Sequence, residues 1–340
     1  MPTRNLKLIL GVMIMVSVAI VIFTGIYQPL IPCKWKDIFR WGSDVDLRII
    51  SIVGNRAMSL KRLLNSLNNA SYFEDKVVLD IWIDRAKDGK VDMQTLEVAN
   101  SFQFLHGTKH VHIQPSHAGV YGQWLYTWDV SDHSSEIAVI LEDDIEVSPL
   151  FYKWLKIVHN KYDNYDNING YSLHGRCENH ALIAPRKKYV DVPKNNTVFL
   201  YPAFNTWGFS PHTRHWLHFV NWVTLKSKDT TFKPSVANIE PSIAYEIARS
   251  RGTLANNWDF LHLYHAYVHQ LFTIFPNIQG DRGFAVHWKE KGLHYPENKD
   301  RKSSGDLLLT WSPEIESLPE NPLYLDFAGR TINPKNYKWP

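Results

Sequence analysis

Three consecutive carboxylates, Glu142, Asp143 and Asp144, are the residues whose types and spacing point most clearly to chemistry. They directly follow five apolar residues at positions 137–141. Like charges at this spacing repel, and removing them from water costs further free energy. A divalent cation would offset the repulsion, and carboxylate oxygens suit Mn²⁺ or Mg²⁺. Because mostly apolar residues also follow at 150–154, the pattern favours a buried metal site over an acidic surface turn.

Other polar residues also follow apolar, strand-like runs. Arg56 comes shortly after the run at 49–53, and Asp84 ends the run at 76–84. Parallel sheets bind ligands beyond the carboxyl ends of their strands. We therefore expect Arg56, Asp84 and the three carboxylates at one edge of a sheet. A metal at that edge would suit a nucleotide diphosphate, because a metal ion bridges phosphate oxygens and neutralises the negative charge that builds on a departing diphosphate.

The elements that would position these residues alternate between strands and helices. Leucines at 60, 63, 64 and 67 recur at helical spacing directly after the first strand. Alternation of this kind predicts an α/β domain with a mainly parallel central sheet. The second half is less regular. We expect a hairpin or mobile loop within residues 186–211 there, and little independent structure from residue 299 onward.

Composition and motifs exclude several classes. The 340 residues are 44% hydrophobic with a net charge of +3, which is typical of a globular protein. No long block of Lys and Arg is present, so nucleic acid is not an expected partner. The chain contains no P-loop, GxGxxG, GxSxG or CxxC motif. At the level of motifs, this excludes kinase-like, dinucleotide-binding and serine-hydrolase proteins.

The N-terminal region predicts a membrane anchor. Residues 8–27 carry no charge, and 20 helical residues span the ~30 Å hydrocarbon core of a bilayer. The pattern favours a single-pass type II anchor over a cleaved signal peptide, with the rest of the chain in a lumen. The sequons at Asn69 and Asn195 fit that placement, and a disulfide between Cys33 and Cys177 stays open. The expected segments are a cytoplasmic tail (1–7), the anchor (8–27), a stem (28–45), a catalytic domain (46–300) and a C-terminal extension (301–340).

The segment "VILEDDIEVSPLFYKW", residues 139–154, resembles the metal-binding segment of GT-A glycosyltransferases, and more narrowly the N-acetylglucosaminyltransferase I family. A more diffuse resemblance runs from about residue 48 to 294, in the order strand–"NR"–helix, strand–Asp, "EDD" and a late "WD". It implies a GT-A, Rossmann-like nucleotide-sugar-binding fold preceded by one transmembrane helix, in the Golgi membrane. It also implies a metal-dependent, inverting transfer from a UDP-sugar, with UDP-GlcNAc favoured, to a glycan or glycoprotein acceptor.

The resemblance also implies roles for single residues. Asp144 would ligate Mn²⁺ or Mg²⁺, Asp143 would contact the donor ribose or a metal-bound water, and Glu142 would contact the donor sugar. The implied contacts on the nucleotide side are Arg56 near the nucleotide, Asp84 accepting from the uracil ring, and His117.

An inverting transferase needs a general base for the acceptor hydroxyl. The resemblance assigns this role to Asp259, which follows Trp258, although Asp259 also suits a helix N-cap. Glu240 and Glu246 are the other candidates.

Four further candidates line the predicted site less specifically. A late histidine, His287 or His294, would add to the metal ligands. Trp207 would stack on a sugar face, with a core position as its alternative. The basic loop at 186–188 would close over the diphosphate as a lid, with a solvated loop as its alternative.

A rival constellation lies further along the chain. His262, His265 and His269 fall on one helix face, and three histidines can hold zinc. No HExxH pattern and no suitably spaced carboxylate accompany them, so the pattern favours a polar face or a packed interface over a zinc site. The alternative functions are therefore a metal-dependent hydrolase, of zinc or two-carboxylate glycosidase type, or a catalytically inactive lectin-like GT-A membrane protein.

Overall fold

The computed structural model describes residues 45–130, 136–182, 188–253, 257–291, 297, 305–337 and 339. Within these ranges, no helix combines the length and the apolar character that crossing a membrane would require. Several sequence predictions fall outside the described residues: the anchor at 8–27, almost all of the stem, Cys33, positions 186–187 of the basic loop, and His294.

The first half of the described chain alternates strands with helices, as predicted. Its elements are β1 (Leu47–Val53), α1 (Ala57–Asn68), β2 (Val77–Ile83), α2 (Met93–Ser101), β3 (Gly107–Ile113), α3 (Gly119–Tyr126), β4 (Ile137–Glu142), β5 (Ile145–Val147) and α4 (Phe151–Tyr162). Strands β3, β2, β1 and β4 lie side by side in that order and all pair in parallel.

The second half adds shorter strands and three helices. Its elements are β6 (Ile168–Ser172), β7 (Val198–Tyr201), β8 (Phe209–Pro211), α5 (Thr213–Lys226), α6 (Glu240–Ser250), α7 (Trp258–His269), β9 (Phe272–Pro276), β10 (Arg282–Gly283), β11 (Ala285–His287), β12 (Asp306–Leu307), a 3₁₀ turn (Pro313–Ile315) and β13 (Leu323–Tyr324).

Across the described residues, the main sheet has nine strands in the order β13-β7-β9-β6-β8-β4-β1-β2-β3. Pairing is mostly parallel, and β8 lies antiparallel between β4 and β6. The predicted α/β class with a mainly parallel sheet is therefore confirmed. Of the two alternatives for residues 186–211, the hairpin is wrong, because β7 pairs with β9 and β13 whereas β8 pairs with β4 and β6. The C-terminal residues supply β13 to one edge of this sheet.

The register of the parallel strands brings the polar strand ends together. Ile52 of β1 lies opposite Glu142 of β4, and Val53 lies opposite Ile83 of β2. The residues that follow these positions therefore emerge at one edge of the sheet. This edge, at the carboxyl ends of β1, β2 and β4, is where the sequence predicted a ligand site.

Helix α1 packs its leucine stripe against the sheet. Leu60, Leu63, Leu64 and Leu67 are fully buried, whereas Met58 on the same helix is 72% exposed. An apolar stripe at this spacing fixes the rotation of the helix about its axis. The packing therefore also fixes the position of Arg56, which directly precedes the helix.

Replacing Leu64 with alanine should lower the free energy of unfolding by about 2–5 kcal/mol, because it leaves a cavity beneath α1. Urea denaturation followed by tryptophan fluorescence would measure the loss. Met58→Ala is the matched control on the same helix and should leave the unfolding midpoint nearly unchanged. Equal midpoints for the two variants would contradict the packing described for α1.

Candidate active site

Asp143 and Asp144 form the two-residue turn between β4 and β5. Both are buried, with 1% and 5% of their surface exposed. The turn is buried because it continues the apolar strand β4 directly, and β5 leads back into the core. Burying two adjacent carboxylates without positive or hydrogen-bonding partners would cost free energy. The groups that contact the turn therefore determine its charge and its capacity to bind a ligand.

Arg56 is the main positive partner of this turn. Its Nε donates to Asp143 Oδ2 at 3.0 Å, and its Nη2 donates to Asp143 Oδ1. Its Nη1 donates to Asp144 Oδ2 at 2.9 Å. A guanidinium shared in this way fits carboxylates bidentately and stabilises their ionised forms. The Arg56 side chain is 27% exposed, so it also faces the solvent side of the sheet edge.

A two-stranded ribbon brings His287 to the same turn. β11 pairs antiparallel with β5, and His287 lies opposite Ile145. His287 Nε2 lies 3.4 Å from Asp144 Oδ2, and the Trp288 amide donates to the Asp144 carbonyl at 2.8 Å. The sequence placed His287 among the metal candidates, and the ribbon explains its proximity to Asp144.

One oxygen of this cluster has no protein partner within the described ranges. Asp144 Oδ1 is buried and makes no hydrogen bond there. A buried carboxylate oxygen in this state carries a desolvation penalty that a ligand would remove. Asp144 and His287 together offer an oxygen and a nitrogen donor, a set that suits Mn²⁺ better than a purely oxygen-loving cation. The residues therefore fit a divalent metal.

The three carboxylates do not share the same charge state. Burial, reinforced by Asp144 and Asp143, raises the pKa of Glu142 to about 8. Burial, opposed by Arg56 and reinforced by Asp144, raises the pKa of Asp143 to about 7. Burial also acts on Asp144, but contacts with His287 and Arg56 outweigh it and lower the pKa of this carboxyl. One guanidinium cannot neutralise three carboxylates, and Asp144 keeps its negative charge most readily.

Aromatic rings hold the histidine in place. The ring of half-buried Trp207 stacks on His287 with centroids 5.5 Å apart and planes at 5°. The next residue, Trp288, donates from Nε1 to Glu146 at 2.9 Å, and Arg62 lies over its ring at 4.4 Å. Sequence reasoning singled out Trp207 but missed Trp288 and Arg62, because neither carries a local signal for this contact.

Glu142 and Asp259 are connected through two stacked indoles. Trp124 Nε1 donates to Glu142 Oε1 at 2.8 Å, and its ring stacks on Trp258 at 4.6 Å between centroids. Asp259 follows Trp258 in the first turn of α7 and is exposed. Its Oδ1 accepts from the Phe260 amide at 2.9 Å. Asp259 therefore lies within the helix, one residue inside its start, and not at the predicted N-cap.

Asp84 fixes the start of α3. Its carboxylate accepts from the amides of Ala118 at 2.7 Å and Gly119 at 2.9 Å, and also from the Arg85 amide at 2.8 Å. His117 Nδ1 lies 3.1 Å from Asp84 Oδ2 and donates to the Arg85 carbonyl at 2.6 Å. Asp84 and His117, two of the three residues predicted on the nucleotide side, thus lie together at the carboxyl end of β2. Their roles toward uracil stay predictions.

The three histidines that helical spacing placed on one face meet different neighbours. His262 is buried among aromatic rings, and its Nε2 lies 3.3 Å from Asn169 Nδ2. The nitrogens of His265 and His269 instead approach His218 of α5. Equal spacing along a helix placed all three on one face, but the neighbouring elements decide what each histidine meets.

The alternative base Glu246 lies on α6, where its carboxylate pairs with Arg249 at 2.5 Å. Glu246 also lines a cleft of about 470 Å³ along that helix. The residues lining this cleft do not include Glu142, Asp143, Asp144 or Asp259. Glu246 is therefore separate from the carboxylate site.

Comparisons with known proteins give limited information. No family model and no curated sequence matches the chain. Crystal structures of S. aureus TarS 1–349, alone, with UDP-GlcNAc and with UDP, are each 13% identical over 45% of this chain, with a TM-score of 0.31. The matched part covers 40%, 38% and 39% of those chains, so this chain spans less than half of each. A likeness of this size identifies neither a family nor an activity.

Replacing Arg56 with glutamine should lower the free energy of unfolding of the metal-free protein by about 3–5 kcal/mol, because it leaves buried charge unpaired. The loss should be larger at pH 8 than at pH 5. The pKa of Asp143 in the folded protein, about 7, lies above its value in the unfolded chain. Between these two pKa values the folded protein holds the proton and the unfolded chain does not, so stability falls as the pH rises toward about 7.

Denaturation in chelator at the two pH values would measure this difference. Arg214→Gln is the matched control, because Arg214 pairs with the exposed Asp166. Its effect should be near zero at both values. An Arg56→Gln variant as stable as Arg214→Gln would show that the guanidinium does not offset the buried carboxylates.

Proposed function

We propose that the protein is a metal-dependent glycosyltransferase of GT-A type that moves a sugar from a UDP-sugar to an acceptor hydroxyl. The observation that carries the proposal is the buried Asp143–Asp144 turn at the carboxyl edge of a mostly parallel sheet. Asp144 there has a buried, unpartnered oxygen and an adjacent imidazole, within the described part of the chain. A buried anionic turn with an unpartnered oxygen, at the strand ends where such sheets bind ligands, supports a bound cation in addition to Arg56.

Asp144 and His287 are the residues that would hold the metal, for which we propose Mn²⁺. Both are constrained: Asp144 by Arg56 and by the tight turn, and His287 by its strand register and by Trp207. Ligands whose orientation is fixed by neighbours lose little freedom when a metal binds. Bound there, Mn²⁺ would neutralise the negative charge that develops on the departing diphosphate.

The same edge supplies groups for the donor. Arg56 is half-buried, carries its charge at this edge and suits phosphate as well as carboxylate. Asp84 and His117 lie at the neighbouring strand end, which supports a uracil-side contact. The choice of UDP-GlcNAc rests on the resemblance of residues 139–154 to the N-acetylglucosaminyltransferase I family. Glu142, held by Trp124, would contact the donor sugar.

Asp259 is our candidate for the general base. Its carboxylate is exposed at the start of α7, and the Trp258–Trp124 stack ties that helix end to Glu142. An exposed carboxylate can accept the proton of an acceptor hydroxyl as that oxygen attacks the sugar. Direct displacement of this kind inverts the anomeric centre. The acceptor would be a glycan or glycoprotein.

The Golgi membrane and type II topology are part of the proposal. They rest on the uncharged segment at 8–27. The sequon residues Asn69 and Asn195 are both exposed, which supports a luminal glycoprotein.

Removing the metal ligand tests the proposal most directly. The purified full chain should release UDP from UDP-GlcNAc and an acceptor mixture with Mn²⁺, and chelator should abolish this. Asp144→Asn should lower turnover by at least a hundredfold, because it removes the anionic ligand. Asp88→Asn, in an exposed turn, is the matched control. Turnover in chelator, or full activity of Asp144→Asn, would reject a metal-dependent transferase.

The same assay separates the other functions. Release of UDP that does not depend on an acceptor would indicate a hydrolase. Mn²⁺-linked binding of UDP without turnover of any donor would indicate a lectin-like protein.

Replacing Asp259 with asparagine should abolish transfer and leave Mn²⁺-linked UDP binding intact, because it removes the base and none of the donor contacts. Binding is measured by calorimetry and transfer by product analysis, which also reports the anomer. Glu246→Gln, at the alternative candidate, should keep activity. An active Asp259→Asn enzyme together with an inactive Glu246→Gln enzyme would reassign the base.

A further inference from the structure

Three histidines from two helices converge away from the carboxylate cluster. His265 and His269 lie one turn apart on α7, and His218 reaches them from α5. One ring nitrogen of each lies within 4.8 Å of those of the other two. His218 Nδ1 lies 2.8 Å from His265 Nε2. The three ring centroids are 4.5–5.0 Å apart. The sequence did not predict His218 as a member of this set.

The burial of the cluster is graded from core to solvent. His265 is fully buried, and its ring contacts Phe219 and Trp222 at 5.3 Å between centroids. His218 and His269 are exposed. One ligand would thus be fixed by packing, while the other two face solvent, from which an ion could enter.

Two of these imidazoles, those of His265 and His269, favour the neutral form. Burial, and then the neighbouring His262, His269, His218 and His215, lower the pKa of His265 to about 2. Burial and His218 lower the pKa of His269. A neutral imidazole has a lone pair for a metal, whereas a protonated one does not.

We propose that His218, His265 and His269 bind a transition-metal ion of the Zn²⁺ class and thereby join α5 to α7. Imidazole nitrogens favour Zn²⁺, Cu²⁺ and Ni²⁺ over the oxygen-loving cations. Zn–N bonds of about 2.0–2.1 Å in a tetrahedron place two nitrogens roughly 3.3 Å apart. The pair at 2.8 Å therefore has to open by about half an ångström, and the exposed side leaves the fourth position to water.

A second cluster, formed by Asp80, His110 and His112, is less suited to a metal ion. Asp80 Oδ1 already accepts from His110 at 3.1 Å and His112 at 2.8 Å. Arg48 Nη1 lies 2.6 Å from Asp80 Oδ2, so the carboxylate has its positive partner. An ion there would displace both histidine bonds to Asp80 and would also meet the guanidinium charge, which the three-histidine cluster lacks among its described contacts. This cluster therefore serves as the control for the three-histidine site.

Zinc binding by the tag-free full chain, stripped with chelator, tests the proposal. Calorimetric titration with Zn²⁺ should show one tight site, and Co²⁺ should give the absorption of a four-coordinate ion. His218→Gln and His269→Gln should each weaken that site by at least tenfold. Both positions are exposed, so the variants should melt like the unaltered chain without metal. His110→Gln and Asp144→Asn should bind Zn²⁺ at this site unchanged.

Two results would overturn the proposal. One is Zn²⁺ binding by His218→Gln and His269→Gln that equals binding by the unaltered chain. The other is loss of the tight site in His110→Gln or Asp144→Asn, which would place the ion in the second cluster or in the carboxylate turn. Because the readout is binding and not transfer, the outcome does not depend on whether the proposed glycosyltransferase activity is correct.

Discussion

The burial of Asp143 and Asp144 in one turn is the constraint on which the site depends. Two adjacent carboxylates out of water are unstable alone, so the fold must bring positive or hydrogen-bonding groups to them. Arg56 arrives because β1 pairs in register with β4. His287 arrives because β11 pairs with β5. Both pairings join segments that are far apart in the chain. The sheet topology thus supplies the groups that offset the charge of the turn, and those contacts in turn stabilise the two pairings.

Aromatic side chains give the site its second property, a low local polarity. Trp207 covers His287, Trp124 binds Glu142, and Trp288 binds Glu146. Charge interactions strengthen where water is excluded. Exclusion of water also raises the pKa of Glu142 and Asp143, because it disfavours their charged forms. The same packing fixes the orientation of the polar groups. Trp207, which the sequence left open between a sugar contact and a core position, thus has a specific place beside His287.

The sequence predicted those features that depend on local pattern. Apolar runs predicted β1 and β4, and leucine spacing predicted α1. Because ligand sites lie at the carboxyl ends of parallel strands, the sequence also predicted that Arg56 lies close to the carboxylates. The insertion of β8 between β4 and β6 escaped prediction, because it depends on pairing between distant segments.

Contacts between distant side chains escaped prediction for the same reason. An indole that donates to Glu142 has no sequence signature, so Trp124 was missed. Helical spacing placed His262, His265 and His269 on one face, but only the packing of α5 on α7 shows that His218 joins His265 and His269 and that His262 does not.

Helix α7 connects the two proposed chemistries. Asp259 lies near its first residue and His269 at its last, about 15 Å apart along the axis at 1.5 Å per residue. Between them His262 is buried against Phe204 and Asn169, so the middle of the helix is held by the core. An ion that joined His269 to α5 would restrain the other end. Because a general base works only within hydrogen-bond reach of its substrate, restraint of α7 would bear directly on how Asp259 is positioned.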